Sequence, residues 1–174
     1  MKIRSVQMNN HKKVFVLRTY KDRYEYPYAL LDTRPTDDDR IVNAGIDPEL
    51  GREAITYTLA SGTEDSVHID RVLEYCQDPS YMRDLLLYKL TLAAKKLVDA
   101  SPLGIRELSR RLGTSPTQLY RVLDEENNRK SLDRVFELLS VLQCRIDIRS
   151  KANKVKRRRA TRPARPVLEL IVHD

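Results

Sequence analysis

The chain has 174 residues, 41% of them hydrophobic and 33% charged, with a formal net charge of +7. That length holds one or two domains, and the apolar content suffices for a packed core. No apolar run approaches the ~20 residues a membrane-spanning helix needs, and the start, Met1-Lys2-Ile3-Arg4, lacks the apolar block of a signal peptide.

The charge is unevenly placed: residues 1–78 carry −3, residues 79–150 carry +4 and residues 151–174 carry +6. The basic surplus therefore falls on the second half, where attraction to phosphates would be useful, while the acidic first part argues against nucleic-acid binding over the whole surface. Cys76 and Cys144 stand far apart on apolar segments. Two buried thiols in a reducing cytoplasm are expected.

Residues 1–78 read as a small strand-rich domain. Ile3, Val6 and Met8 form a loose apolar pattern, and residues 14–20 are rich in β-branched and aromatic types. Asn9-Asn10-His11-Lys12 between them is good turn chemistry, so a hairpin is predicted. Residues 24–31 suit a short strand, which Pro27 restricts to a sheet edge. Residues 33–40 form a loop, 41–46 a strand and 47–51 a turn. Residues 55–59 and 67–69 flank a second hairpin, and 69–75 suit a short helix.

Catalytic chemistry is hard to find here. Asp37, Asp38 and Asp39 lack the Gly-punctuated spacing of a calcium loop. His68 and Asp70 would share one face of a strand end, but no Ser or Cys nucleophile with recognisable context accompanies them. There is no Gly-rich phosphate loop, no Cys/His zinc spacing and no nucleophile elbow. No enzyme activity, metal or cofactor is expected. Tyr20, Tyr24, Tyr26, Tyr28, Tyr57 and Tyr75 suit core and edge packing, or an interface rich in tyrosine.

Asp78-Pro79-Ser80 marks the joint, and a helix is predicted over 81–100 with Leu85, Leu86, Tyr88, Leu90, Ala93, Leu97 and Val98 as its stripe. Ser101-Pro102 breaks it. A second helix is predicted over 105–112, with Ile105, Leu108 and Leu112 on one face, and Gly113 ends it. Ser115 caps a third helix to residue 124, and Pro116 takes its first turn, where a missing N–H costs nothing. Leu119, Val122 and Leu123 are its buried stripe; Thr117, Gln118, Tyr120 and Arg121 face outward. Asn128, Arg129 and Lys130 follow as candidate phosphate donors. Ser131 caps a last helix with Leu132, Val135, Phe136, Leu139 and Leu142 inward.

The run from Leu108 to Val122, L-x3-L-G-x-S-x3-L-x-R-V, resembles the helix-turn-helix of the phage-repressor family, also called the xenobiotic-response-element family. The resemblance spans residues 84–144 and implies a lambda-repressor-like bundle of four or five helices, the second and third forming the DNA-reading unit. It places Ser115 and Thr117 at the start of the recognition helix, with Gln118, Tyr120 and Arg121 on its exposed side. The family often has Gln where Ile105 stands, a base-reading polar residue where Pro116 stands, and Gly where Asn127 and Asn128 stand. Asn tolerates the left-handed conformation a Gly would take. Residues 42–75, especially Gly51-x-x-Ala54 and Leu59-Ala60-Ser61-Gly62, resemble a small uncharacterised bacterial domain that occurs alone or fused to repressor-like modules, sometimes beside toxin genes.

After the last helix, residues 144–149 alternate strictly. A lone strand cannot satisfy its own backbone, so it should pair with the first domain's sheet, with a twin protomer, or with residues 167–172. The twin would make a homodimer, which suits two half-sites about 34 Å apart. Residues 151–166 are basic and Pro-containing; a tail over 151–174, largely disordered, is expected to lie along phosphates or reach the minor groove.

The expected fold class is therefore α+β: a strand-rich domain over 1–78, an all-α helix-turn-helix domain over 79–150 and a basic tail. The expected function is sequence-specific binding of duplex DNA as a cytoplasmic transcriptional regulator. The alternatives are an antitoxin that holds a toxin and represses its own operon, and a protein-interaction module without DNA.

Overall fold

The computed structural model describes residues 1–151 and 167–173, and the side-chain surroundings of residues 1–146. The fold is mixed α+β, with two three-stranded antiparallel sheets followed by five helices. The chain divides into two units, residues 1–83 and 84–174, so the division falls within the long helix rather than at the Pro79 joint.

In the first unit, β1 (Ile3–Asn9), β2 (Val14–Thr19) and β3 (Arg23–Pro27) form a meander. The predicted hairpin turn is set by its own side chains. Asn9 Oδ1 accepts the Lys12 N–H at 2.9 Å, and Lys13 takes φ +53° to lead into β2. Asn10 ties the turn onward: its Oδ1 accepts the Tyr28 hydroxyl at 3.0 Å and its Nδ2 donates to the Ile41 carbonyl at 3.3 Å. The strand predicted over 24–31 ends at Pro27. That residue has no N–H for a further ladder, and Tyr28–Leu30 turns as a 3-10 segment instead. As expected of a strand carrying proline, β3 lies at an edge of its sheet.

The second sheet is β4 (Ile41–Ile46), β5 (Ala54–Leu59) and β6 (Glu64–His68), followed directly by α1 (Ile69–Cys76). Ile69 opens α1 rather than closing β6. The switch occurs because His68 is the N-cap, its Nδ1 accepting the Asp70 N–H at 3.3 Å. Both His68 and Asp70 are exposed. The two sheets and α1 close on one core built from Phe15, Leu17, Ile41, Ile55, Tyr57, Ile69 and Val72. Tyr24, Tyr26, Tyr28 and Tyr57 are buried in it, whereas Tyr20 and Tyr75 are 74% and 48% exposed. Phe15 packs against Tyr28 and Tyr57 with ring centroids 4.7 and 5.6 Å away.

Buried tyrosines need partners for their hydroxyls. Tyr57 places its hydroxyl between the Thr33 carbonyl at 2.7 Å and the Asp65 carboxylate at 3.0 Å. Tyr24 donates to Asp78 at 2.8 Å, and Asp78 also accepts the Tyr81 N–H at 3.0 Å. Burial pushes both phenols up, and the facing carboxylates push them further. Burial disfavours the Asp78 charge, but the Tyr81 N–H and Tyr24 hydroxyl outweigh it, so this carboxyl lies below its ordinary range; Asp65 does so for the same kind of reason.

The second unit contains most of α2 (Pro79–Ala100), then α3 (Ile105–Arg111), α4 (Pro116–Leu123) and α5 (Leu132–Val141). The fully buried residues of α2 are Leu87, Leu90, Thr91 and Ala94; of the predicted stripe, Leu90 is among them, and Leu86, Leu97 and Val98 pack against the same core. Tyr88, expected inward, is 43% exposed. Residues 85–90 hold apolar side chains on almost every side, so the sequence leaves the helix phase open. Thr91 fits inside because its hydroxyl donates to the Leu87 carbonyl at 2.7 Å. On α5 the fully buried residues are Val135, Leu138 and Leu139, with Leu132, Phe136 and Leu142 packed around them. These helices share one core with Leu108 and Leu119. Cys76 packs against the first core and Cys144 against the second, both half-buried.

Of the three partners considered for the alternating strand, the chain uses its own: β7 (Arg145–Lys151) pairs antiparallel with β8 (Val167–His173). Residues 167–173 are therefore a strand, not part of a disordered tail. The rest of the expected tail, 152–166, lies outside the described residues. Among the described residues no helix is long and apolar enough to cross a membrane.

Tyr57→Phe should lower the free energy of unfolding measured in urea by about 1–3 kcal/mol, because it removes a donor from the half-buried Asp65. Asp65 and Asp78 hold depressed pKa values in the folded state. Their stabilisation is complete above the unfolded carboxyl pKa of about 3.9 and disappears as pH falls through the lower folded values. A urea midpoint flat above about pH 5 and falling below about pH 4 is expected, with the fall reduced in Asp65→Asn.

Candidate nucleic-acid interface

The predicted pair of short helices is α3 and α4, joined by residues 112–115. Leu112 is the C-cap of α3, and Gly113 takes φ +60°, which a side chain would make strained. The Thr114 N–H donates to the Ser109 carbonyl at 2.9 Å, closing the end of α3. Ser115 then caps α4, its Oγ accepting the Gln118 N–H at 3.2 Å, with Pro116 as the first helical residue. Leu108 and Leu119 are fully buried, Ser109 sits inside with its hydroxyl on the Ile105 carbonyl at 2.7 Å, and Val122 and Leu123 are half-buried.

The burial of Leu119 fixes the opposite face outward. Ser115, Thr117, Gln118 and Arg121 are exposed, and Tyr120 is 59% exposed. These five predicted residues stand together on the first two turns of one capped helix. Their chemistry spans an amide, a guanidinium, a phenol and two hydroxyls. Gln118 also borders a small hollow with Thr114 and Arg134.

The segment after α4 separates the other three candidates. Asn128 and Arg129 are exposed. Lys130 is not a surface donor: it is 7% exposed, and its ammonium donates to the Asp124 carbonyl. Burial lowers its pKa, although Asp124 and Glu125 oppose that shift. Lys130 thus satisfies a carbonyl at the end of α4 from inside the loop, instead of standing on the surface as predicted. The sequence shows only N-N-R-K, in which all four side chains look solvated. Asn127 contributes to the same closure, its Nδ2 donating to the Arg121 carbonyl at 3.1 Å and its Oδ1 accepting the Arg129 N–H at 3.2 Å. Neither Asn127 nor Asn128 adopts the left-handed backbone. Side-chain capping replaces the glycine-type exit.

On α3, Glu107 accepts from Arg110 at 2.9 and 2.7 Å and from Arg111 at 2.8 Å. The two guanidiniums pull its carboxyl down to about 2. One carboxylate thereby draws on two cations that composition alone would count as available to phosphate. Lys95 of α2 pairs with Glu125. Among the described residues no group of three or more His, Cys, Asp or Glu gathers that could hold a metal.

Comparison of the chain with known protein families, with curated proteins and with solved structures finds no match. The geometry of α3 and α4 therefore carries the functional reading.

Ser115→Ala should cost about 1 kcal/mol of stability through the lost cap. Lys130→Ala should also lower the thermal midpoint, whereas Arg129→Ala should leave it unchanged, its stability staying within about 0.5 kcal/mol of the parent. Equal midpoints for Lys130→Ala and Arg129→Ala would contradict the internal role of Lys130.

Proposed function

We propose that the chain binds duplex DNA in a sequence-specific way and acts as a transcriptional regulator, with residues 105–123 working as a helix-turn-helix. The observation that carries this reading is the exposed first half of α4, held by a side-chain cap and by burial of Leu119. A short helix with a polar N-terminal face fits the major groove while the preceding helix braces it across the backbone. Arg121 is suited to guanine O6 and N7, Gln118 to adenine N6 and N7, and Thr117 to a thymine methyl. Ser115 and Asn128 suit phosphate oxygens as neutral donors, and Arg129 as a charged one. Tyr120 offers either a phosphate hydrogen bond or an apolar contact.

A single helix of this length reads only a few base pairs, so two copies on half-sites about 34 Å apart are proposed for the working form. With β7 paired to β8, that homodimer does not need a shared strand at β7. Its interface lies elsewhere in this proposal, and its state is read by sedimentation at micromolar concentration.

The test is a mobility shift on the DNA upstream of the protein's own coding region, at two salt concentrations, with wild type and Arg121→Ala. A discrete, competitor-resistant complex is expected for wild type. Its loss or weakening in Arg121→Ala by about 1–3 kcal/mol is expected if that guanidinium reads a base. A complex that responds to salt alone, equally in both proteins, would overturn the reading in favour of simple charge attraction.

A further inference from the structure

The first unit has a net charge of −3 over residues 1–78, yet one end of its first sheet is strongly basic. Arg4, Arg18, Tyr20, Lys21 and Arg23 line an open hollow with Asp22. All five are exposed, and the Tyr20 ring is 74% exposed.

Two features of this end suit a ligand that carries both negative charge and a flat apolar face. Arg18 lies directly opposite Arg23 across the β2–β3 pair, and like charges in that position repel. The other neighbour of Arg18, on β1, is Ser5, so neither cross-strand partner is an acid. Glu25 reaches Arg23 at 3.2 Å, and Asp22 turns one carboxylate oxygen onto the Arg23 N–H at 2.7 Å. An exposed aromatic ring at the tip of a turn is the second feature. Here it is held in place: the Arg4 guanidinium lies 5.0 Å from the Tyr20 centroid. The turn itself is stiff. The Thr19 hydroxyl accepts the N–H groups of Lys21 and Asp22 at 3.2 and 3.1 Å and faces the Asp22 carbonyl at 3.2 Å.

We propose that this end of the first sheet binds single-stranded nucleic acid, with a base stacked on the open face of Tyr20 and phosphates held by Arg18, Lys21 and Arg23. An acidic peptide would answer the cations, but it would leave the ring without a use. A duplex keeps its bases stacked on one another and offers the ring nothing. A single strand satisfies both features, because every base presents a π-face and every link carries a phosphate. This site is separate in sequence and in chemistry from α4, and it stands whether or not α4 reads duplex DNA.

The experiment is fluorescence anisotropy on the full chain with a labelled mixed-sequence 12-nucleotide single strand and, in parallel, a labelled duplex of the DNA upstream of the protein's own coding region. The proteins are wild type, Tyr20→Ala, Tyr20→Phe, Arg18→Gln and Arg121→Ala, each checked for an unchanged melting curve. Tyr20→Ala should weaken single-strand binding about ten-fold, and Tyr20→Phe should retain it. Arg18→Gln should weaken it and reduce its salt dependence, and all three should leave duplex binding unchanged. Arg121→Ala should do the reverse; if it alters neither, the α4 reading fails while the Tyr20 site stands. Single-strand binding by Tyr20→Ala equal to wild type overturns the proposal. So does full displacement of the oligonucleotide by an oligoglutamate peptide whose own binding is indifferent to Tyr20→Ala, which would assign the surface to an acidic peptide.

Discussion

The second unit depends on a turn of four residues. Between Leu112 and Ser115 the chain must leave α3, reverse and enter α4 while both Leu108 and Leu119 reach the same core. Gly113 supplies the left-handed backbone, the Ser109 carbonyl takes the Thr114 N–H, and Ser115 satisfies a donor at the head of α4. None of these is strong alone; capping and hydrogen-bond terms are of the order of 1 kcal/mol each. Their joint effect is geometric. They set the rotation of α4 about its axis, and that rotation decides that Gln118 and Arg121 are outside while Leu119 is inside. A helix rolled by one position would expose a leucine and bury an amide or a guanidinium, at a cost of several kcal/mol.

The first unit solves a different problem. Its core is rich in tyrosine and contains no tryptophan, so it must bury phenolic hydroxyls along with the rings. The partners come mostly from loops and turns: Asn10 for Tyr28, the Thr33 carbonyl for Tyr57 and Asp78 for Tyr24, with Asp65 of β6 as the second partner of Tyr57. Among the described residues no buried side-chain nitrogen or oxygen lacks a partner. The loops are thereby part of the core, and the backbone between β3 and β4 is held although it has little regular structure. Asp78 has a double task, since the carboxylate that receives Tyr24 also accepts the Tyr81 N–H at the start of α2.

Elements with strong local chemistry were legible in the sequence. The Asn9–Lys12 turn, the strand Ile41–Ile46, the caps Ser115 and Ser131, and the break at Gly113 all follow from side chains acting on their own neighbours. What was hidden depends on distant partners or on competition between equals. Tyr88 was misplaced inward because Leu85, Leu86, Leu87 and Leu90 already offer more apolar surface than one face can bury. The end of β3 was overrun because apolar residues continue past Pro27, and only the missing N–H stops the ladder. His68 does lie beside Asp70 as the pair read from the sequence, with Nδ1 to Oδ2 at 3.4 Å, but its capping role appears only with α1 in place. Of the eight candidate contact residues, seven have exposed side chains; Lys130 differs because its ammonium is committed to a carbonyl six residues back, which no local pattern announces.

The fate of Lys130 bears on how the positive charge of this half should be weighed. Residues 79–150 carry +4, which invites a broad electrostatic account of DNA binding. The side chains do not support a broad account. Glu107 is shared by Arg110 and Arg111 and offsets one of their two charges, Glu137 pairs with Arg134, Glu125 with Lys95, and Lys130 is turned inward. Asp124, Glu125 and Glu126 follow α4 directly and repel phosphate from that end. The exposed cations of the α3–α4 region outside these pairs are few, with Arg106, Arg121 and Arg129 among them. A surface with so few available cations gains little from undirected attraction, since each phosphate neutralised contributes separately to binding and to its salt dependence. If α4 binds DNA tightly, directed contacts by Gln118, Arg121 and Thr117 must supply much of the affinity. The acidic run and the paired arginines then act as a filter, disfavouring any duplex on which those directed contacts cannot form.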